Sequence, residues 1–471
     1  AAARLPGDGW IIGQTVRYLV DQGNLGSAVA MARRCRAARW WCEALEGLAR
    51  HLAADYEGAD EAFGRALRDM PEPRRCAWID LSPLLGDGER LYHGLPCAER
   101  SSADERIWWL ARPLYSHPGN DLRTEHYARH TMALLLEGAA TVDGLSGGGD
   151  TRELFVRFGW PRYWSRSVAP PGRESPARIL GHEPSPSFWL FPAPALAEPW
   201  ADVTKVRWDP GMELPPARYG PRYTLGFAPI GRLQLARFRR GDSTLTIAAY
   251  NLSSDSVLAR GPADARLAVA RDPATPAAVA RVTPTGPVGM LTVPSAWRPA
   301  VVSLEMVGID TPWVARWRAM TPPDPGGLPP LVSDILLFAP GQVLPASLEA
   351  ALPAALDAPV ARVGKRLGLY WELYDQLDEP NVAVEIRVSV MKPRSRSDEP
   401  SPAGRPECPF QAESPVSLRW REEPGTHSRG AGRAVALDLR SLSRGRYVVT
   451  VQVSAAGVHG CSTRDLEVVG R

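Results

Sequence analysis

The chain has 471 residues, a formal net charge of +3 at pH 7 and 44% hydrophobic residues. These values predict three or four domains with apolar cores, and they argue against a dedicated nucleic-acid-binding protein. Its 46 Pro and 42 Gly residues are too many for an all-helical protein and favour β-domains joined by Pro-rich connectors. We attribute the dominance of Arg over Lys to a GC-rich genome, and we interpret Arg237, Arg239 and Arg240 as a solvated strand face.

The six cysteines form no CxxC pair, which argues against a zinc site or a thioredoxin-type site. Their positions suggest three local disulfides, and the alternative is six unpaired buried thiols. The predicted pairs are Cys35 with Cys42, Cys76 with Cys97, and Cys408 with Cys461. Such pairs would imply an oxidising compartment. The sequence has no apolar run of about 18 residues, so we predict no membrane span, and its start resembles that of a mature, processed chain.

Residues 1–85 show apolar residues at helical spacing in paired segments, for example 40–53 and 57–70. The small, aromatic and terminal Pro positions fall at the spacing of a tetratricopeptide repeat, which this region resembles. These positions are Gly47, Ala59, Phe63, Ala66 and Pro71. The resemblance implies stacked helix pairs. They would form either a concave surface for a partner or a helical cap on the following domain.

Residues 86–166 are predicted to form one helix-plus-strand unit. A loop over 86–103 would lead to a short helix over 104–112, with Ser102 as the N-cap. A long helix is predicted over 121–137. Gly-rich residues then indicate a turn, and alternation of Leu154, Val156 and Phe158 predicts a half-buried strand over 152–158.

This unit resembles the GWxTD domain of bacterial secreted and envelope proteins. The matching residues are Glu125, Arg129, Arg152, Arg157, Phe158, Gly159 and Pro161. In place of the Gly-Trp-x-Thr-Asp signature the chain has Gly147-Gly148-Gly149-Asp150, of which only the Asp agrees. The resemblance implies an envelope location and a modular architecture, and it supplies no catalytic mechanism.

The rest of the chain is predicted to be β-rich. Residues 167–221 are Pro-rich and are expected to form an extended connector. Alternating segments over 222–320, including a hairpin that turns at Gly241-Asp242, predict a β-sandwich. A linker over 321–332 would lead to an immunoglobulin-like β-sandwich over 333–471, with a charged loop at 393–410. The fold class is therefore multidomain α+β, with a helical region, a GWxTD-like unit and two sandwiches.

Three groups of residues are candidates for a catalytic or ligand-binding site. His126 and His130 lie four residues apart beside Glu125, a spacing that can hold a metal on a helix, although the HExxH order is absent. Packing is the alternative, and we predict no metal and no cofactor. Gly147–Gly149 could mimic a phosphate loop but is better explained as a turn. Aromatic residues could stack on a sugar or belong to the core. They are Trp108, Trp109, Trp160, Tyr163 and Trp164.

The function that these patterns favour is a non-catalytic, periplasmic or extracytoplasmic scaffold, peripheral to a membrane. Its partners would be protein subunits of an envelope or membrane complex, for example a photosynthetic or energy-converting one, and not nucleic acid. The alternative is a protein that binds or processes envelope glycans. An enzyme would require a cleft with converging carboxylates or a metal near His126 and His130.

Overall fold

The structure is a computed structural model that divides into two compact units. The first comprises Ala1–Phe227 with Asp272–Pro276, and the second comprises Ala228–Arg271 with Ala277–Arg471. The residues it describes are 4–84, 92, 94–137, 149–159, 163–167, 178–182, 227–253, 262–283, 286–296, 300–310, 313–320, 331–374, 383–393, 414–423, 432–455 and 457–470. No helix in the described part is long and apolar enough to cross a membrane.

The first unit is mainly helical. Side chains of Asp8, Asn24 and Asp55 accept backbone N–H groups at three helix starts, which satisfies donors that have no partner within the helix. The helices are α1 Gly9–Asp21, α2 Leu25–Arg33, α3 Arg39–Leu52, α4 Tyr56–Asp69, α5 Glu72–Trp78, α6 Cys97–Ala111, α7 Asp121–Glu137 and α8 Gly149–Phe158.

Helices α1–α4 form two successive pairs, and α7 packs against them. A Cβ atom on Gly47 would lie 2.7 Å from the Phe63 ring, so α3 and α4 approach closely at this glycine. Along α7, Leu135 contacts Gly13 and its carbonyl accepts a hydrogen bond from Gln14 at 2.7 Å. One apolar core joins residues of α1–α4 with Tyr127, Ala128 and Leu135 of α7. Helix α7 of the same chain therefore covers one face of these helix pairs.

Two expectations for residues 86–166 are wrong. Helix α6 begins at Cys97, so Ser102 lies inside a helix instead of capping one. Residues 152–158 are not a strand, because they belong to α8. Arg157 donates to Glu153 at 3.0 Å across one helical turn, and Leu154 is exposed while Val156 is buried. Seven residues are too few for alternation alone to exclude a helix.

The predicted connector over 167–221 contains a strand. Strand β1, Tyr163–Ser167, pairs antiparallel with β2, Arg178–His182, and Trp164 lies opposite Gly181. Residues 178–182 of the predicted connector are therefore extended, and they pair with β1. The remaining residues from 168 to 226, like most of the predicted linker over 321–332 and of the loop over 393–410, lie outside the described residues.

The second unit begins with a β-sandwich. A five-stranded sheet has the order β3-β10-β9-β6-β7, and a three-stranded sheet has the order β4-β5-β8. Their inner faces share one apolar core that includes Tyr250, Leu267 and Leu304. The hairpin of β4 and β5 turns at Gly241, as predicted. The strands are β3 Phe227–Pro229, β4 Leu233–Arg240, β5 Ser243–Asn251, β6 Ala263–Ala270, β7 Ala278–Val282, β8 Val288–Ala296, β9 Val301–Gly308 and β10 Val314–Met320.

The same plan recurs in a second sandwich, with sheets β11-β13-β16 and β12-β18-β17-β14-β15. Its core includes Trp371, Ile386 and Val451. All pairings are antiparallel except that of β12 with β18. The strands are β11 Leu336–Phe338, β12 Val360–Arg362, β13 Arg366–Glu372, β14 Val384–Met391, β15 Val416–Glu422, β16 Gly432–Asp438, β17 Gly445–Ala455 and β18 Val458–Val469, and a short helix, α9, spans Leu348–Ala351.

The two sandwiches are joined through their three-stranded sheets. A separate apolar cluster contains Phe238 of β4, Phe338 of β11 and Tyr370 of β13. Gln234 donates to the Leu337 and Leu356 carbonyls at 3.0 and 2.7 Å and accepts from the Leu337 N–H at 2.7 Å. Each three-stranded sheet thus has apolar contacts on both faces. The two sandwiches are therefore packed together through these two sheets.

The arginines of β4 strengthen this joint. Arg237 lies 3.0 Å from Asp334, and Arg240 donates to both carboxylate oxygens of Glu372 at 2.6 and 3.0 Å. Glu372 is 2% exposed, so the arginine neutralises a buried charge. The Arg239 N–H donates to the Tyr374 hydroxyl at 2.7 Å. The prediction of a solvated arginine face is therefore wrong for Arg237 and Arg240, whereas the Arg239 side chain donates to the Gly241 carbonyl at an exposed position.

Candidate functional site

The histidines that suggested a metal site lie in the core of the helical unit. Nε2 of His126 lies 2.9 Å from the Trp78 carbonyl, and the His126 and His130 rings are 4.6 Å apart. His130 stacks on Trp78. Burial lowers the pKa of His126 to about 4 and that of His130 well below its ordinary value, so both rings are neutral at pH 7. Within the described residues, no group of three or more His, Cys, Asp or Glu is placed to hold a metal.

Glu125, the acidic neighbour of these histidines, connects three helices. Its carboxylate lies 2.6 Å from Nε2 of His51 on α3 and accepts from Arg129 at 2.6 Å. Arg129 also donates to the Val156 carbonyl of α8 at 3.1 Å. Burial alone would raise the pKa of Glu125, but Arg129 and His51 hold it well below its usual range. Glu125 is therefore an ionised structural link.

His51 also lies 2.9 Å from the Thr124 hydroxyl through Nδ1. Thr124, His51 and Glu125 together resemble a nucleophile, a base and an orienting acid. Thr124 is fully buried, however, and its hydroxyl donates to the Asp121 carbonyl at 3.2 Å. No substrate can reach this oxygen in the structure, so we assign the arrangement to packing between α3 and α7.

The aromatic residues proposed as a sugar platform do not form one in the described part of the chain. Trp108 and Trp109 are 1% and 6% exposed. Trp108 donates to the Asp104 carboxylate at 2.8 Å, and this carboxylate also accepts from the Tyr127 hydroxyl at 3.1 Å. Trp160 and residues 147–148 lie outside the described residues, as do the side chains of Tyr163 and Trp164 on β1.

The cysteines of the helical unit are paired. Cys35 bonds to Cys42 and Cys76 bonds to Cys97, each with Cα atoms 5.5 Å apart. These bridges tie α2 to α3 and α5 to α6. Cys461 on β18 is also disulfide-bonded, and its predicted partner Cys408 lies outside the described residues.

A groove at the joint of the two sandwiches is the best candidate for a binding site, and we call it the sandwich groove. Its volume is about 770 Å³, which is within the range typical of ligand sites. One wall is the segment before and at the start of β4, and the other comprises β12 and parts of β17 and β18. The lining residues are Gly231, Arg232, Leu233, Ala358, Pro359, Val360, Arg362, Pro393, Arg446, Tyr447, Asp465, Leu466, Glu467 and Val469.

The charges of the sandwich groove are mixed, with more arginines than carboxylates. Strand register places Val360 beside Glu467 and Glu467 beside Arg446 across β12, β18 and β17. Arg232 lies 3.5 Å from Asp357, yet its buried Nε has no hydrogen-bond partner in the described part of the chain. This groove can hold a polar, extended ligand by charge and hydrogen bonding, and its described lining contains no histidine or cysteine.

The sequence offered no signal for the sandwich groove. Arg232, Arg362 and Arg446 are separated by 130 and 84 positions in the chain. They are brought together because β12 pairs parallel with β18 and because the two three-stranded sheets pack against each other. Neither contact follows from local alternation.

No family model and no curated protein matches this chain. Among solved structures, one similar chain is the BSP domain of a biofilm-associated protein. The alignment covers 51% of this chain and 29% of the BSP-domain chain, at 11% identity and a TM-score of 0.24. The C-terminal domain of the AgI/II polypeptide BspA from Streptococcus agalactiae aligns with 50% of this chain and 99% of its own, at 7% identity and a TM-score of 0.18.

The C-terminal domain of the antigen I/II-family protein AspA from Streptococcus pyogenes aligns with 51% of this chain and 99% of its own, at 7% identity and a TM-score of 0.17. At these TM-scores the similarities do not establish a common fold.

Proposed function

We propose that this chain is a non-catalytic, extracytoplasmic interaction protein that serves as a scaffold or accessory subunit of a bacterial envelope complex. One observation carries the proposal: two sandwiches are joined into a single body, and a charged groove opens at their joint. A rigid frame keeps such a groove in shape before a partner binds, which lowers the entropic cost of binding. The disulfides of the helical unit support an oxidising compartment.

Three finer assignments belong to the same proposal. Close contact of Gly47 with Phe63 supports a tetratricopeptide-like pair in α3 and α4. Glu125, Arg129 and Gly159, which carry part of the GWxTD resemblance, meet in space, since a Cβ atom on Gly159 would lie 3.1 Å from Arg129. The sheet pairs of the second sandwich support an immunoglobulin-like module. We do not propose a photosynthetic complex, because no described residue carries a feature specific to one.

Co-purification tests the scaffold function. The chain would be isolated from its native organism in mild detergent, and partners would be identified by mass spectrometry. We expect stoichiometric envelope proteins that dissociate at high salt, because exposed charges line the sandwich groove. Recovery of the chain alone, as a monomer at physiological salt, would contradict the proposal.

A second candidate is a glycan-binding protein. The sandwich groove favours it to the extent that Asp465, Glu467 and Arg446 offer acceptors and donors for sugar hydroxyls. Trp108 and Trp109 do not support this candidate, because both are buried.

A further inference from the structure

The backbone at the sandwich groove includes strand edges that have no strand neighbour. Among the described strands, β12 pairs only with β18 and covers only its last residues, Glu467–Val469. The lining continues onto Asp465 and Leu466 of β18, beyond the reach of β12. Such edges accept an additional extended chain through main-chain hydrogen bonds.

The hydrogen bonds of β12 show which backbone groups point away from β18. The Pro359 carbonyl accepts from Glu467, and the Val363 N–H donates to the Val469 carbonyl. Because alternate residues of a strand direct their peptide groups to opposite edges, the N–H group of Arg362 points away from β18. Arg362 itself lines the sandwich groove.

The side chains around this edge favour a negatively charged partner. Arg232, Arg362 and Arg446 outnumber Asp465 and Glu467 among the lining residues. Within the described residues, Arg362 and Arg446 form no ion pair within 4.0 Å, and the buried Nε of Arg232 has a free N–H.

We propose that the sandwich groove binds an extended, acidic segment of a partner protein, which adds a strand beside β12 and β18 and places carboxylates near Arg232, Arg362 and Arg446. This inference rests on the proposed scaffold function and names the chemistry of its partner. Charge complementarity opposes a second copy of this chain at the groove, since the same excess of arginine would face itself. The partner side chains that alternate with the carboxylates would point to the opposite face of the sheet, where Ala361 of β12 belongs to the apolar core of the second sandwich.

Fluorescence anisotropy with a labelled octapeptide of alternating Val and Glu tests this inference on the full chain. We expect saturable binding that weakens as salt rises, and at least tenfold weaker binding by the Arg362→Glu variant. The matched control is Arg421→Glu. Arg421 lies on β15, the other edge strand of the same sheet, and its side chain is 70% exposed. The control should bind within twofold of the parent chain.

Three further probes make the result decisive. A Val-Lys octapeptide and a Val-Glu octapeptide with N-methylated alternate residues should each bind at least tenfold more weakly than the parent peptide. Equal binding of the N-methylated peptide would overturn strand addition. Tighter binding of a uronic-acid octasaccharide through Arg362 would overturn the peptide assignment in favour of a glycan. Arg362→Ala serves as a second variant, and circular dichroism confirms that each variant folds.

The two proposals fail separately. If partners co-purify with the chain and the Arg362→Glu variant retains them, the scaffold function stands and the acidic-segment inference is wrong. If no partner co-purifies and no peptide binds, both are wrong.

Discussion

Asp104 is a fully buried carboxylate that accepts hydrogen bonds from the Trp108 indole and the Tyr127 hydroxyl. Burial raises the pKa of Asp104 to about 7, although Arg123 and the two hydrogen bonds act in the opposite direction. The other titratable groups that interact with it are Glu105 on its own helix and Tyr92, and Arg123 itself lies 3.3 Å from Asp60. Asp104 is therefore one of the buried groups that make the stability of the helical unit depend on pH.

The sign of this dependence follows from proton linkage. An unfolded Asp has a pKa of about 4, so between about pH 4 and pH 7 the folded chain holds a proton that the unfolded chain has released. Asp104 therefore destabilises the folded state progressively as pH rises through this range, by up to about 4 kcal/mol. His126 and His130 act with the opposite sign below about pH 6.5, because the unfolded imidazoles bind protons that the buried neutral rings do not. Glu125 also has the opposite sign, but only near about pH 4, where the unfolded carboxylate releases its proton while the folded carboxylate is already ionised.

Asp104→Asn is expected to remove the contribution of Asp104 to this pH dependence, since Asn carries no titratable proton. Urea unfolding of the helical unit at pH 5 and pH 8, followed by tryptophan fluorescence, measures the difference. Because the two histidines are the same in both chains, comparing the variant with the parent isolates Asp104. The free energy of unfolding of the variant minus that of the parent should be larger at pH 8 than at pH 5, by up to about 3 kcal/mol. Asp69→Asn, at a partly exposed carboxylate paired with Arg39, is the matched control and should keep the parent's slope. An unchanged slope in Asp104→Asn would show that another group is responsible.

The same residue types can serve as metal ligands or as core residues, and the two histidines of α7 show this. His126 and His130 have the spacing of metal ligands, and the structure uses them as neutral core residues beside Trp78. The helical period placed them on one face of α7. Only the packing of α5 and α6 onto that face decided that the face is buried.

At the scale of elements, glycines control how closely α3 and α4 pack. Gly47 faces the Phe63 ring at a distance that leaves no room for a methyl group, whereas a Cβ atom on Gly64 would meet only Arg68, at 3.8 Å. Both glycines lie inside helices, so the intrinsic benefit of an alanine is the same at both positions. The pair therefore separates packing from helix propensity.

Gly47→Ala should destabilise the helical unit by about 1–3 kcal/mol through overpacking. Gly64→Ala should stabilise it by roughly 0.5–1 kcal/mol, because alanine favours the helix. Chemical unfolding of the two variants beside the parent chain provides the comparison. If both substitutions are equally tolerated, the close approach of α3 and α4 is not a constraint on the fold.

Element prediction failed where the segment was short. Residues 152–158 alternate like a strand, but α8 is stabilised by the Glu153–Arg157 pair and by burial of Val156. The long periodic segments were safer, as in the 17-residue helix α7, because many residues must agree with one period.

At the scale of the whole molecule, the joint between the sandwiches determines where partners can bind. Phe238 is fully buried and its ring lies 5.8 Å from that of Tyr370, so one side chain belongs to the packing of both sandwiches. Together with the Gln234 hydrogen bonds and the Arg240–Glu372 pair, this contact predicts that the two sandwiches unfold as one cooperative unit.

Phe238→Ala should lower the opening free energy of backbone amides in both sandwiches by about 3–5 kcal/mol. Native-state hydrogen exchange measures this in β9 of the first sandwich and β17 of the second. Leu418→Ala, on the exposed face of β15, is the control and should leave both unchanged. Loss of protection in β9 alone would mean that the sandwiches open independently.

The sequence by itself determined the helical region, the positions of most strands after residue 222 and the cysteine pairs in the helical unit, because these depend on periodicity and short separations. Tertiary structure decided that α7 covers the helix pairs, that the arginines of β4 lie in a joint and that Arg232, Arg362 and Arg446 share one groove. These contacts join residues far apart in the chain, and an arginine has the same local pattern whether it faces water or a buried carboxylate.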